Sequence, residues 1–304
     1  MIEEVPNFLF HCEVEKNLNE KTLKAYSLDL RQFTDFTQKN DIDWIEKEDL
    51  KKYLLILSNY SPRTMKRKVA TLKAFFSYLE FEEKIESNPF RKVRVNIKLE
   101  QLLPETLTIS EISRILKVAY QEKSRVENQR VYAYKEKIRN IAILELLVAS
   151  GMRVSELCSL RSYNLSIDFS SIKIMGKGKK ERIIPITNEE TQHALEQNCK
   201  LFGEQIKSTS YVFINRFGKK LSEQSVRFMV KKYASLANVQ RKVTPHLFRH
   251  SFATLLLEGD VDIRYIQHLL GHSSINVTQI YAHVNEKKKK ELLTLKSPRN
   301  LMMI

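Results

Sequence analysis

Helix-start signals recur along almost the whole chain, each followed by apolar side chains at helical spacing. Asn19 precedes a stripe of Leu23, Tyr26, Leu30, Phe33 and Phe36, and Leu50, Tyr53, Leu54 and Leu57 form a second. Ser61-Pro62 sets a cap residue and then a proline at the first helical position, ahead of Met65, Val69, Leu72, Phe76 and Leu79. Thr108-Ile109-Ser110-Glu111 reads as a capping box, as does Thr187 to Glu190, and Thr244-Pro245, Asp262 and Ser274 open three further helices. A chain punctuated in this way folds into packed helices. Glycine and proline, 7 of each in 304 residues, fall under half their usual share of roughly 12%, too few for a turn-dense β-sandwich or for disorder.

Extended structure is expected only in short stretches. Ile172-Lys173-Ile174 alternates, Gly176-Lys177-Gly178-Lys179 turns the chain, and Arg182 to Ile186 runs back, which predicts a hairpin with lysines at its tip. Tyr211 to Asn215 is expected to add one more short strand. A further helix buries Ile141, Leu144, Leu147 and Val148 and stops at Gly151, a position suited to the left-handed conformation; a short helix follows around Ser155 to Leu160, and Ser222 to Ala237 reads as helical. The polar stretch between Lys117 and Lys137 has no assignment from pattern. The fold class is mainly α with a small antiparallel β-sheet, and the length suits two domains. Ser87-Asn88-Pro89 ends the first helical unit, and the basic segment Arg91 to Gln101, without helical periodicity, leads to Leu103-Pro104. The expected division is a helical domain over 1–90, a linker over 91–104 and a second domain over 105–304.

Lysine and arginine number 51 against 36 aspartates and glutamates, a formal charge of +15 that points to a polyanionic partner, nucleic acid first. The first turns of the Ser61 helix carry Arg63, Lys66, Arg67 and Lys68 away from the apolar stripe, either a solvated face or a set of phosphate contacts. No apolar run approaches the ~18 residues of a membrane span, and the longest, Ile141 to Ala149, contains Glu145. Cys12, Cys158 and Cys199 are an odd number without CxxC spacing, which suggests neither a disulfide framework nor a zinc knuckle and fits a reducing cytosol. The acidic start lacks the features of a secretory signal, so a cytoplasmic location is expected.

Five features of the second domain hold residues suited to chemistry: Arg153 with Glu156 in GMRVSEL, Lys177 in GKGKK, His246 with Arg249 in HLFRH, His272 in LLGHS and Tyr281 in QIYAHV. Alone, each has an ordinary explanation as a surface ion pair, a solvated turn or a half-buried core residue. Their order and spacing are harder to dismiss: His246 and Arg249 share a helix face, His272 follows a glycine stop, and Tyr281 comes nine residues later. The pairs His246/His250 and His268/His272 have i, i+4 spacing, but Leu247 occupies the position where a zinc HExxH site places its glutamate, and no metal is expected.

This ordered set of an arginine, an acidic residue three later, a hairpin lysine, H-x-x-R, a histidine and a tyrosine resembles the tyrosine recombinases, or phage integrase family. The compact Xer-like bacterial members are the most similar, and the resemblance covers nearly the whole chain. It implies a two-domain clamp around duplex DNA, with a core-binding SAM-like domain at 1–90 and a catalytic domain at 105–304 that ends in a C-terminal exchange segment. The implied function is site-specific recombination through a 3′-phosphotyrosyl intermediate for integration and excision or for dimer and cointegrate resolution. The alternative is DNA relaxation of the type IB topoisomerase kind by the same chemistry.

The resemblance assigns Tyr281 as nucleophile. Arg153 and Arg249 take the non-bridging oxygens, which planar guanidinium forks match bidentately. His246 helps with the tyrosine proton, Lys177 protonates the departing 5′ oxygen, and His272 donates to a phosphate oxygen. Glu156 supports Arg153 or His246. Arg63, Lys66, Arg67 and Lys179 are expected as further DNA contacts. The implied partners are double-stranded DNA with a specific core site and three more copies of the chain, a tetramer on two DNA sites from a free monomer. Neither cofactor nor metal is implied, because the phosphotyrosyl link keeps the bond energy.

Overall fold

The computed structural model describes residues 2–98, 105–126, 128, 131–175 and 181–271. Lys177, Lys179, His272, Tyr281 and the helix expected at Ser274 lie outside the described residues. By its internal contacts the chain divides into two compact units, Met1–Leu102 and Leu103–Ile304.

The first unit has helices α1 (Val5–Val14), α2 (Glu20–Lys39), α3 (Lys47–Leu57) and α4 (Pro62–Phe81). The expected caps form: the Asn19 side chain accepts from the Thr22 N–H and Ser61 from the Thr64 N–H. Leu30, Phe33 and Phe36 of α2 and Val69, Leu72, Phe76 and Leu79 of α4 are buried as their spacing predicts, around an aromatic core in which Phe33 meets Tyr53 and Phe76 edge-on at 5.0 and 5.8 Å. Helix α1, unmarked by any cap signal, closes this core through the fully buried Phe8, which packs edge-on against Phe75. Asn88 caps a short 3₁₀ turn that buries Phe90, and Val93, Val95 and Ile97 of the segment expected as a linker pack on the same core. Lys68 departs from the expected positive face. It is buried, its ammonium 3.0 Å from Asp29, and Arg67 beside it also donates to Asp29.

The second unit is built around α6 (Tyr132–Ser150), whose stretch from Ile138 to Leu147 is buried on every side. It packs against α5 (Ile109–Ser124), α8 (Glu189–Leu201) and α11 (Pro245–Glu258). Helices α5 and α6 between them account for most of the stretch from Lys117 to Lys137. The exception in the apolar run, Glu145, is buried and accepts from the Tyr120 hydroxyl (2.9 Å) and the Thr191 hydroxyl (3.2 Å); burial holds its carboxyl above the usual range. Strands β1 (Ser171–Met175) and β2 (Glu181–Pro185) pair antiparallel with Ile172 opposite Ile184 and Ile174 opposite Arg182. Among the described residues the unit also has α7 (Val154–Cys158), α9 (Gly203–Thr209), α10 (Glu223–Leu236) and α12 (Ile263–Leu270).

Two local expectations are corrected. Tyr211 to Asn215 forms no strand, because its backbone partners come from separate segments: Val212 N–H donates to Leu160 O, Asn215 N–H to Lys219 O, and only isolated bridges result. The helix near Thr187 starts one residue later, because Asn188, a stronger cap, accepts from the Thr191 N–H at 3.0 Å. No helix among the described residues is long and apolar enough to cross a membrane.

Candidate active site

The end of α6 sets the first element of the site. Gly151 adopts φ +56° and stops the helix, and a Cβ there would lie 2.4 Å from the Phe252 ring, so the corner needs glycine for both conformation and space. Two residues on, Arg153 is the N-cap of α7, and its backbone N–H donates to Glu156 Oε2 at 2.8 Å. The Arg153 guanidinium returns to the same carboxylate, Nη1 to Oε1 at 3.0 Å. Glu156 therefore holds both ends of one arginine.

Helix α11 supplies the next residues. Thr244 caps it and Pro245 occupies its first position, which sets His246 and Arg249 three apart on the opening turns. Arg249 is buried; Nη1 donates to Gly151 O at 2.9 Å and Nη2 to Leu270 O at 2.7 Å. Arg153 reaches the same helix end, Nη1 to Leu270 O at 3.4 Å and Nη2 to Gly271 O at 3.1 Å. The carbonyls that α12 leaves unpaired at its C-terminus thus collect guanidinium groups, as the helix dipole favours. Residues 96 positions apart in sequence meet there, and the described backbone ends at Gly271, immediately before His272.

Partial desolvation, then the positive charges of Arg249, Arg227 and Arg153, hold His246 below its ordinary pKa, against a smaller opposing effect of Glu223. The ring is neutral near pH 7 and can accept a proton. His250, half-buried one turn on, is held low by burial and by His246 and Arg249. Glu156 behaves oppositely: burial alone would raise its carboxyl, but the Arg182 hydrogen bond, the Arg153 N–H and both guanidinium charges outweigh that and keep it low. Among the described residues no cluster of three His, Cys, Asp or Glu is arranged to hold a metal.

Of the residues singled out in the sequence, Arg153, Glu156, His246 and Arg249 come together at the junction of α6–α7, α11 and the end of α12. Lys177 and Lys179 belong to the segment between Met175 and Glu181, and His272 and Tyr281 follow Gly271, all outside the described residues. Arg63, Lys66 and Arg67 lie on α4 in the first unit; Arg63 and Lys66 are exposed and in no ion pair among the described residues, whereas Arg67 shares Asp29 with Lys68. Sequence reasoning missed Arg182. It is buried on β2, donating Nη2 to Glu156 Oε2 at 2.8 Å and Nε to Leu269 O at 2.9 Å. The signal was available: in Arg182-Ile183-Ile184-Pro185-Ile186 the alternation that turns Ile184 and Ile186 inward turns Arg182 inward too.

The profile of the Phage integrase family matches residues 105–288, and that of the phage integrase N-terminal SAM-like domain matches residues 5–83. A tyrosine recombinase of Agathobacter rectalis is 42% identical over 97% of this chain and 96% of its own length. The tyrosine recombinase XerC of Thermodesulfovibrio yellowstonii is 37% identical over 93% and 92%. Among solved structures, XerH bound to difH substrate in a pre-cleavage complex superposes with a TM-score of 0.72 at 23% identity, covering 97% of this chain and 84% of that one. With relatives this similar from end to end, the chain belongs to the phage integrase family and is a tyrosine recombinase of the Xer type.

Proposed function

We propose that this chain cleaves and rejoins duplex DNA at a specific core site, with Tyr281 as nucleophile and the Arg153–Arg249 pair as the phosphate-binding centre. The observation that carries the reading is the convergence of both guanidiniums on the end of α12, with Leu270 O accepting from each. Arg153 Nη2 and both Arg249 Nη1 and Nη2 donate to neutral carbonyls, and a phosphate, which forms stronger charge-assisted bonds, fits the same forks. The Tyr281 hydroxyl attacks phosphorus and the 5′ oxygen departs. His246, neutral near pH 7, takes the tyrosine proton, and Lys177 returns one to the leaving oxygen. His272 donates to a non-bridging oxygen, and Glu156 positions Arg153 without handling protons. Attack by a 5′ hydroxyl on the phosphotyrosyl bond reverses the step and rejoins the strand.

In this reading the first unit is the core-binding domain. Its Arg63 and Lys66, with the donors that Arg67 leaves free of Asp29, contact phosphates, and Lys179 does so from the hairpin. Four copies act on two DNA sites, exchanging C-terminal segments, and assemble from monomers in the cytoplasm. Likeness to Xer recombinases along the whole chain favours recombination over topoisomerase-like relaxation.

The test uses a core site selected from a random-sequence pool by the Tyr281→Phe protein. On a nicked duplex carrying that site, the unaltered chain should accumulate a covalent adduct and the Phe variant none, with binding nearly equal. Adduct formation by Tyr281→Phe would move the nucleophile elsewhere.

A further inference from the structure

We propose that Arg182 is a positioning residue for DNA cleavage, holding Glu156, and through it Arg153, against the C-terminal end of α12. The inference rests on the reading of Arg153 as a phosphate-binding group.

Arg182 sits where the strand pattern calls for an apolar side chain, opposite Ile174 and one inward position before Ile184. Its side chain is 5% exposed. A guanidinium this deep costs stability unless its donors are used, and two are: one on Glu156 Oε2, the other on Leu269 O. Glu156 is thereby clamped between two arginines, Oε2 shared by Arg182 and the Arg153 N–H, Oε1 taken by the Arg153 guanidinium. Rotation of the carboxylate away from Arg153 would strand Arg182 in the core, so the buried arginine fixes the orientation of the half-exposed one.

Arg182 also fixes the surface on which Arg153 and Arg249 rest. Leu269 O, Leu270 O and Gly271 O accept from Arg182, Arg249 and Arg153 in turn, with Arg153 also at Leu270 O. Gly271 lies so close that a Cβ there would stand 2.7 Å from Arg182 Nη1, and its φ is +64°. The guanidinium therefore packs against the backbone that leads into His272. A plain core role would need neither the carboxylate nor the helix end.

The experiment is a double-mutant cycle with the full chain, reading single-turnover adduct formation on the nicked, pool-selected core-site duplex. Arg182→Met should slow cleavage about 10²-fold, the scale of a misplaced phosphate-binding group, while core-site affinity stays within about threefold. In an Arg153→Lys background the same substitution should cost less than about threefold, because the residue it positions is already altered. Arg182→Lys keeps the charge but not the planar fork, and should repeat the pattern at smaller size; it serves as the reading if the Met variant does not fold. A loss of equal size in both backgrounds overturns the inference and makes Arg182 a packing residue. Cleavage at the unaltered rate by Arg153→Lys and by Arg153→Ala would instead overturn the reading of the site itself.

Discussion

Each unit centres a cluster of charge on one carboxylate, Asp29 in the first and Glu156 in the second, and in the proposed reading only the second acts on a ligand. Asp29 is 1% exposed and accepts from Lys68, from Arg67 and from the Thr71 hydroxyl at 3.1 Å, while Lys68 also donates to Gln32. Those donors are spent on side chains that carry charge or polarity of their own, inside the packing of α2 and α4. Glu156 likewise faces two cations, but Arg153 is 36% exposed and its remaining donors go to neutral carbonyls at a helix end. An incoming phosphate outcompetes a carbonyl; it cannot displace Asp29 without leaving a buried carboxylate unpaired. An acid between two bases is therefore no sign of a site. The sign is a cation held in place by its acid while its free edge rests on something weaker than phosphate.

Asp29 carries the larger effect on stability. Asp29→Ala leaves Lys68 buried without its counter-charge and should cost about 3–5 kcal/mol, seen as a lower denaturation midpoint. Adduct formation by the protein–DNA complex that remains should proceed at the unaltered rate. If the variant unfolds no more easily, Asp29 is not the keystone of the first unit and the contrast fails.

Glu156→Gln should show the reverse balance. Glutamine keeps an acceptor for the arginines but loses the charge, so cleavage should fall about 10²-fold, equivalent to about 2.7 kcal/mol of barrier. Stability should fall by only about 1–3 kcal/mol. Denaturation and single-turnover cleavage, measured on both variants, separate the two clusters; a Glu156→Gln protein that cleaves normally but melts like Asp29→Ala would make them equivalent.

These clusters also mark how far the sequence can be read. Periodicity and caps locate α2, α3, α4, the hairpin and the Gly151 stop, because each is decided by local backbone chemistry. Arg153, Glu156, His246 and Arg249 could be picked out by resemblance, but their shared resting place on α12 depends on how distant segments pack. Lys68 was misread for a specific reason: it lies three after Met65 and four before Leu72, on the edge of the apolar stripe, and only Asp29 on another helix makes that edge habitable for an ammonium. Arg182 was hidden by the opposite habit, since a charged residue at a strand start is ordinarily taken to face water. Tyr211 to Asn215 has the short apolar run of a strand, while its missing ladder depends on partners that no local pattern reveals.

A finer division falls within α4. Arg63 and Lys66 should each contribute a phosphate contact, so the double alanine variant should flatten the log–log dependence of DNA affinity on salt by about 0.9 per contact. Arg67→Ala should change the slope less and stability more, because one arm of that guanidinium serves Asp29. An unchanged slope in the double variant would return this face to plain solvation.

The smallest effect expected is in the pH dependence of stability, where the second unit holds groups displaced in opposite directions. His246 and His250 have folded pKa values below the 6.5 of the free side chain, so the unfolded chain binds protons more readily. Their contribution to stability is present above pH 6.5 and lost as pH falls through that value towards the folded pKa. Glu145 runs the other way: its folded pKa lies above 4.5, so its contribution is complete below 4.5 and lost as pH rises through the folded value. Thermal midpoints measured from pH 7.5 downward should therefore fall first, and the fall should be shallower in His250→Gln, which leaves only His246 to charge. Glu145→Gln should keep the fall but lose the partial recovery at lower pH, because an amide has no proton to gain there. A steeper fall in His250→Gln than in the unaltered chain would mean that the half-buried ring is held charged, reversing the sign assigned to it.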